Sequence, residues 1–597
     1  MSQRLLFTSL LLLSVTVPSF GQDASSSDPA AGDLSQLPAL IQQLGSADYD
    51  EREAAQKTIE AFGFEAFDLL TEAEAGDDPE IAARARYLVR RMQVEWAAAT
   101  DSAEVKRILA NYAQGDDRLR KQTIEALAAL PNGEGLPALA RLVRFENAQL
   151  RSKQAGIRAV ESLSKQGALG DDVVTVVERT LGQSNRPGAD WMRTALHRQS
   201  DPAAAIDAWG KQVEAEQETF RTFPQRSHVD FIRAMIRVQA EWLQGLDRRE
   251  EADVAMRRLV ALDPGTNQSL QELVQWFTDR QAWHMLDELQ RRFDDRIERD
   301  AILLYRLASA RERQGAPEQA EALVTKALAL YDEDPARHYQ VARILTALAM
   351  RRYAIRELEK VVAAGPPEAM HVLESRVLLA EAYYDRGDNL AAAASLKAAL
   401  DAVEKAPPQA RIAETLRMRD PASMQARMLF CEATEAAKTD PAAASEKLLA
   451  ALNADESDLD VLIALHRHEG LTDDQRQRVR GLIVKAAELQ RMVIRDSSRD
   501  ATPYNQLAWL LANTDGDRQE ALACSLKSLE LSPNDPGYLD TLGHCYFALG
   551  DFHNAIKTQE KAAAADPESG LLLRALERFR AAKAEQDKER QRTISNE

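Results

Sequence analysis

The sequence predicts an all-α chain of stacked helical hairpins, and three observations carry that prediction. Small residues and prolines recur at a fixed step: Ala521 and Ala555 are 34 apart, as are Pro533 and Pro567. Hydrophobic content is an ordinary 45% but aromatics are only 6%, a balance of plentiful alanine that suits close helix packing. Few runs alternate with the period of a strand, and Gly and Pro fall between helical windows. At 597 residues the length alone would suggest several domains. A repeat overrides that count, because stacked hairpins share one continuous core.

The clearest unit lies within 502–566. In its second copy Leu539, Leu542, Gly543 and Tyr546 share one face of a first helix, Leu549, Gly550 and Asp551 make the turn, and Ala555 and Ala562 line a second helix that ends before Pro567. Gly543 and Ala555 are small where the two helices cross, and a larger side chain there would overpack the contact by roughly 1–3 kcal/mol. This unit resembles the tetratricopeptide repeat, whose period is 34 residues. The resemblance implies a right-handed solenoid of hairpins with a concave binding surface.

The same period holds over 233–405. Ala240, Val274, Ala308 and Ala342 are first-helix packing positions at steps of 34, and Ala252, Leu286, Ala320 and Ala354 are their second-helix partners. A fifth unit, with Ala380 and Ala392, follows at a step of 38, and the four extra residues fit the loop around Gly365, Pro366 and Pro367. Lys405-Ala406-Pro407-Pro408 interrupts the array. Region 406–500 is helical but degenerate and reads as two hairpins, 424–437 with 442–452 and 459–467 with 474–495. Two further units occupy 501–569, with Ala521, Gly543 and Ala555 as packing positions. In 570–597, Leu572, Leu573, Leu576 and Phe579 give a capping helix one apolar face, followed by a charged tail.

Nearer the start, 34–165 shows helix pairs with acidic caps: Asp48 before 49–62, then similar starts at Asp78, Asp117 and Gln149. These pairs resemble HEAT repeats. The resemblance implies that Arg120 and Arg151 bond acids of neighbouring units, a structural role. Region 166–232 is a helical connector without a repeat signature, its clearest loop at 182–188. Trp191 and Trp209 are expected to pack where the HEAT-like part meets the rest.

Residues 1–21 read as a signal peptide: Arg4 is the basic start, 5–17 is apolar, Pro18 breaks the run, and Ser19-Phe20-Gly21 offers a small-x-small cleavage site. Residues 22–33 read as a flexible leader. The apolar run is too short to span a bilayer and no later stretch does, so the expectation is an exported chain, periplasmic or secreted, without a transmembrane span after cleavage. Net charge is −19, and losing Arg4 leaves −20. That field opposes phosphate backbones, which excludes nucleic acid as the expected partner. Three cysteines, Cys431, Cys524 and Cys545, are too sparse for a disulfide framework and read as small core residues, although Cys524 and Cys545 lie on adjacent predicted helices.

No catalytic signature is present: no G-x-S-x-G, Walker loop, H-E-x-x-H or paired C-x-x-C. Gly210-Lys211 and Gly133-x-Gly135 lack the rest of a phosphate-binding motif. His466 and His468 are two apart, which on a helix points them to different faces and denies them a shared metal. No catalytic residue, metal or cofactor is therefore expected. A protein or peptide partner is expected instead, and the repeat resemblance places the non-packing first-helix residues on the concave side, either to contact that partner or, the reading favoured for them, to brace neighbouring repeats: Tyr305, Arg306, Tyr339, Arg343, Glu381, Tyr384, Asp540, His544 and Phe547. The carboxylate clamp of chaperone-binding relatives is not supported, since His544 and Ser309 stand where it needs Asn. The favoured reading is a non-enzymatic exported scaffold. The alternative is an adaptor for an envelope polymer or export machinery, which needs aromatic platforms in series such as Tyr305 and Tyr339. An enzyme with a site spread over distant helices is the third reading.

Overall fold

The computed structural model describes residues 34–74, 76–92, 94–165, 170–405 and 420–596. The expected signal peptide 1–21, the leader 22–33 and most of the interruption at 405–408 lie outside them. Among the described residues every regular element is a helix. They form two compact units, divided between Leu262 and Asp263, a boundary that falls inside the predicted 233–405 array.

In the first unit, acidic and hydroxyl caps start the helices. Asp48 accepts from the Asp50 amide before Tyr49–Phe62, and Asp78 accepts from the Glu80 and Ile81 amides before Pro79–Arg91. The helix Asp117–Ala128 is capped one residue earlier than expected, by Asp116. Arginines join successive pairs. Arg84 donates to Glu53 at 2.9 Å, and Arg151 reaches Asp117 at 3.2 Å and Glu146 at 3.3 Å. Glu146, 1% exposed, also accepts from Arg120 at 3.3 Å and from the Tyr112 hydroxyl at 2.6 Å. Trp191 and Trp209 are buried, and the Trp209 indole N–H donates to the Met235 carbonyl at 3.0 Å. Lys153 and Glu216 form an enclosed ion pair, 1% and 3% exposed.

Hairpins fill the second unit. Paired helices include Ala301–Arg313 with Pro317–Ala329, Pro335–Ala347 with Arg351–Ala364, and Met370–Arg386 with Asn389–Lys405. After residue 420 come Pro421–Ala436 with Pro441–Ala454, Leu459–Arg467 with Asp473–Asp496, Ala501–Ala512 with Arg518–Leu531, and Pro536–Ala548 with Phe552–Ala565. Left-handed turn residues keep the repeat's register: positive φ occurs at Asp247, Gln281, Gly315 and Ala349, each 34 after the last, and then at Gly387, 38 further on. A tight turn needs that conformation, and glycine supplies it without strain at Gly315, Gly387 and Gly550.

The predicted packing positions Ala240, Ala252, Ala308, Ala320, Ala342, Ala354, Ala380, Ala392, Ala521, Gly543 and Ala555 are all buried. At Gly543 a Cβ would stand 2.6 Å from the Gln559 Oε1 and 3.2 Å from the Phe579 ring, so the contact admits no side chain without movement. The last helix, Gly570–Asn596, covers the final hairpin with Leu572, Leu576 and Phe579. Leu573, expected on that face, is 42% exposed, because spacings of four and three residues keep only the other three on one stripe. All three cysteines are free thiols, Cys431 and Cys545 buried.

The start of that last helix also closes the array on itself. Asp385, from the helix Met370–Arg386, is 3% exposed and accepts from the Ser569 hydroxyl at 2.7 Å and from the Gly570 and Leu571 amides at 3.0 and 3.3 Å. It thus caps a helix 185 residues away, satisfying amides that the helix's own turns leave unpaired. Arg574 returns a bond to the Asp385 carbonyl at 2.9 Å, Arg351 pairs with Asp566, and Arg352 with Glu568 at 3.1 Å. Gly570 has to be glycine here, since a Cβ would meet the Asp385 carbonyl oxygen at 2.5 Å.

Candidate binding cavity in the C-terminal hairpins

Closure leaves a cavity of about 1240 Å³ inside the ring of first helices. Each of those helices contributes inward side chains: Arg427, Asp460, Trp509 and Asp540 come from four successive hairpins, and Tyr384 and Arg574 from the two elements that meet at the closure. Asp460 fixes the floor, accepting from the Trp509 indole at 3.0 Å and from Arg427 at 2.8 Å. The Arg427 guanidinium lies over the Tyr384 ring at 4.3 Å, a cation–π contact that holds both side chains. One wall is apolar. Leu489 and Met492, from the helix Asp473–Asp496, are 50% and 53% exposed, and Leu571 on the last helix, which also lines the cavity, is 41% exposed. Large apolar side chains left open inside a concavity are the ordinary mark of a binding surface.

Two titratable groups sit side by side in the wall. Burial pushes the Asp540 carboxyl up to about 6, against the hydrogen bond from Gln559 at 2.6 Å and the attraction of Arg578. His544, one turn on and 4.0 Å away, is pushed down to about 3 by burial and by the repulsion of Arg578 and Arg467, so it is neutral at pH 7. A carboxyl raised by folding stabilises the fold below its unfolded value near 4 and loses that contribution as pH rises through 6. Asp540→Asn is therefore expected to stabilise the C-terminal hairpins above pH 6 by at most about 3 kcal/mol. The difference from wild type should vanish below pH 4, measured by denaturant unfolding across that range. His544 carries the opposite sign, its contribution being lost as pH falls from about 6.5, but it is common to both proteins.

Of the nine residues predicted for a groove, Tyr384, Asp540 and His544 line this cavity, and His544 and Phe547 line a smaller recess at its end. Tyr305 is a correction: it is 0% exposed, its hydroxyl donates to Glu357 at 2.5 Å, and its ring packs on Tyr353. A first-helix position read as concave is here the brace between hairpins. Tyr339 is half-buried and donates to Glu374, so the two tyrosines form no series of open platforms. Arg306 donates to Gln275 at 3.2 Å, the Arg343 guanidinium lies over the Tyr339 ring, and Glu381 pairs with Arg427 at 3.7 Å. None of these lines the cavity. Arg427, Trp509, Leu489, Met492, Arg574 and Arg578 were not anticipated. The surplus of apolar residues around the packing stripe of 473–496 is the one signal that pointed there.

Residues 537–569, the hairpin that carries Asp540 and His544, match the sequence model of the tetratricopeptide repeat. Over those residues the hairpin is similar to a tetratricopeptide repeat. Similar solved structures include YrrB, described as a TPR protein with an unusual peptide-binding site, at 17% identity, covering 42% of this chain and 96% of that one with a TM-score of 0.16. The Cut9–Hcn1 hetero-tetramer of the APC/C is 13% identical, covering 80% of this chain and 96% of that one with a TM-score of 0.23. No curated protein matches the chain. Among the described residues no group of three or more His, Cys, Asp or Glu is gathered as for a metal, and no helix is long and apolar enough to cross a membrane. His466 faces Asp515 at 3.6 Å while His468 contacts Ser445, so the two imidazoles look in different directions.

Proposed function

We propose that this chain is a non-enzymatic scaffold, exported to the periplasm or beyond, that holds a segment of a partner protein in the cavity of its C-terminal tetratricopeptide hairpins. The observation that carries the reading is the open apolar wall of Leu489, Met492 and Leu571 facing polar groups already fixed in place by Arg427, Asp460 and Trp509. A preformed cavity loses little freedom on binding, and its anchors are of the types that dominate interfaces. The repeats at 34–165, read as HEAT-like, extend the scaffold with further surface, and the first 21 residues direct export. Burial of Tyr305 removes the platform series on which the polymer-binding alternative rested.

The test is selection of a displayed random-peptide library on the full chain. Peptides with apolar anchors are expected to be enriched, and the paired substitutions Leu489→Glu and Met492→Glu should weaken them at least about tenfold. Both side chains are half exposed, so the variant keeps its fold. Selected peptides that bind wild type and variant equally would remove the cavity from the account.

A further inference from the structure

The cavity continues, past His544 and Arg578, into a second recess of about 460 Å³. Its walls come from the C-terminal ends of Leu459–Arg467 and Ala501–Ala512, the helix Pro536–Ala548 and the last helix. Charge in this recess is one-sided. Arg467, Arg518, Arg578 and His466 line it, and no carboxylate does. In a chain of net charge −19, where arginines elsewhere in the array pair with acids across hairpins, three guanidiniums on one recess are a local concentration of positive charge.

The hydrogen-bond partners of Arg467 and Arg578 are neutral. Arg467 donates to the side-chain oxygen of Asn513 at 2.5 Å and to its carbonyl at 3.3 Å. Arg578 lies against the His544 ring at 3.3 Å and over Phe547 and Phe579. Arg518 makes no ion pair among the described residues. The nearest acids stand outside: Asp515, 81% exposed, beside His466, and Asp540 on the cavity side of His544. Burial lowers both Arg467 and Arg578 from the ordinary guanidinium range, and the field of Arg467 lowers Arg578 further against the attraction of Asp540. Two guanidiniums held near each other by aromatic and amide contacts match the flat oxygen pair of a carboxylate or the oxygens of a phosphate.

We propose that this recess is an anion subsite that receives a carboxylate or phosphate group of the segment bound in the cavity, with Arg467 and Arg578 as the direct contacts and Arg518 at the rim. The proposal rests on the cavity being a partner site. It adds that the partner carries a negative group beside its apolar anchor, and the subsite gives an acidic scaffold a way to select an acidic ligand.

Inorganic phosphate is the probe, titrated into the full chain at constant ionic strength and followed by phosphorus NMR line width. Saturable broadening is expected for wild type, and the double substitution Arg467→Gln, Arg578→Gln should weaken it at least about tenfold, whereas Arg249→Gln, a remote exposed arginine, changes nothing. Arg578→Lys keeps the charge without the planar fork and should fall between them. Competition by acetate would assign the group to a carboxylate source, and indifference to acetate to a phosphate source; each supports the subsite. Broadening that is absent, or equal in wild type and the double variant, would overturn it. The Leu489→Glu, Met492→Glu variant separates the two readings: if the cavity reading fails, phosphate binding still stands, and if only the subsite fails, apolar peptides still bind.

Discussion

Asp385→Ala is expected to detach the last helix from the array and open the cavity. The carboxylate is buried and accepts three bonds, so its removal leaves the Gly570 and Leu571 amides and the Ser569 hydroxyl without their acceptor in a site where no side chain replaces it. A lost cap together with buried donors left unpaired costs roughly 2–4 kcal/mol. Every 1.4 kcal/mol is tenfold in an opening equilibrium, so amide exchange over 570–580 should accelerate by about 30- to 1000-fold. Peptide binding should fall with it, because Leu571, Arg574 and Arg578 leave the wall together. Unchanged exchange at those amides would show that Arg351 with Asp566 and Arg352 with Glu568 hold the closure alone.

A second large effect is expected far from any binding surface. Lys153 donates to both oxygens of Glu216 at 2.7 Å and to the Arg226 carbonyl at 2.9 Å, and Ser227 adds a third contact to the carboxylate at 2.5 Å. Lys153→Met leaves a buried carboxylate without its cation, a change worth about 3–5 kcal/mol. For a unit of this size that lowers the midpoint of thermal unfolding by roughly 6–20 °C. The double substitution Lys153→Met, Glu216→Met should recover most of the loss, since an apolar pair replaces a buried ion pair at little cost. A single variant as stable as wild type would mean that water reaches the carboxylate.

The fold was legible because its period is written in small residues. Ala308, Ala342 and Gly543 have to be small where helices cross, and that demand repeats with every hairpin. The closure was not legible. Asp385 reads as one more acid at a helix end, and nothing local marks it as the cap of a helix that begins at Gly570. The site divides along the same line. Asp540 and His544 were found because repeat geometry assigns them inward positions, whereas Tyr305, at an equally plausible position, turns into the packing between hairpins to meet Glu357. Leu489 and Met492 belong to a second helix, which a single hairpin would place away from the concave side. Only the curvature of several hairpins, closed by the last helix, brings them to the wall.

The central claim is that a partner segment lies inside the closed C-terminal hairpins. Hydrogen exchange of the full chain with a saturating selected peptide tests it most directly. Protection is expected at 482–492, 505–509, 540–544 and 571–578, the stretches that line the cavity. Protection confined to residues before Leu262, or to the outward helices Arg518–Leu531 and Phe552–Ala565, would contradict it.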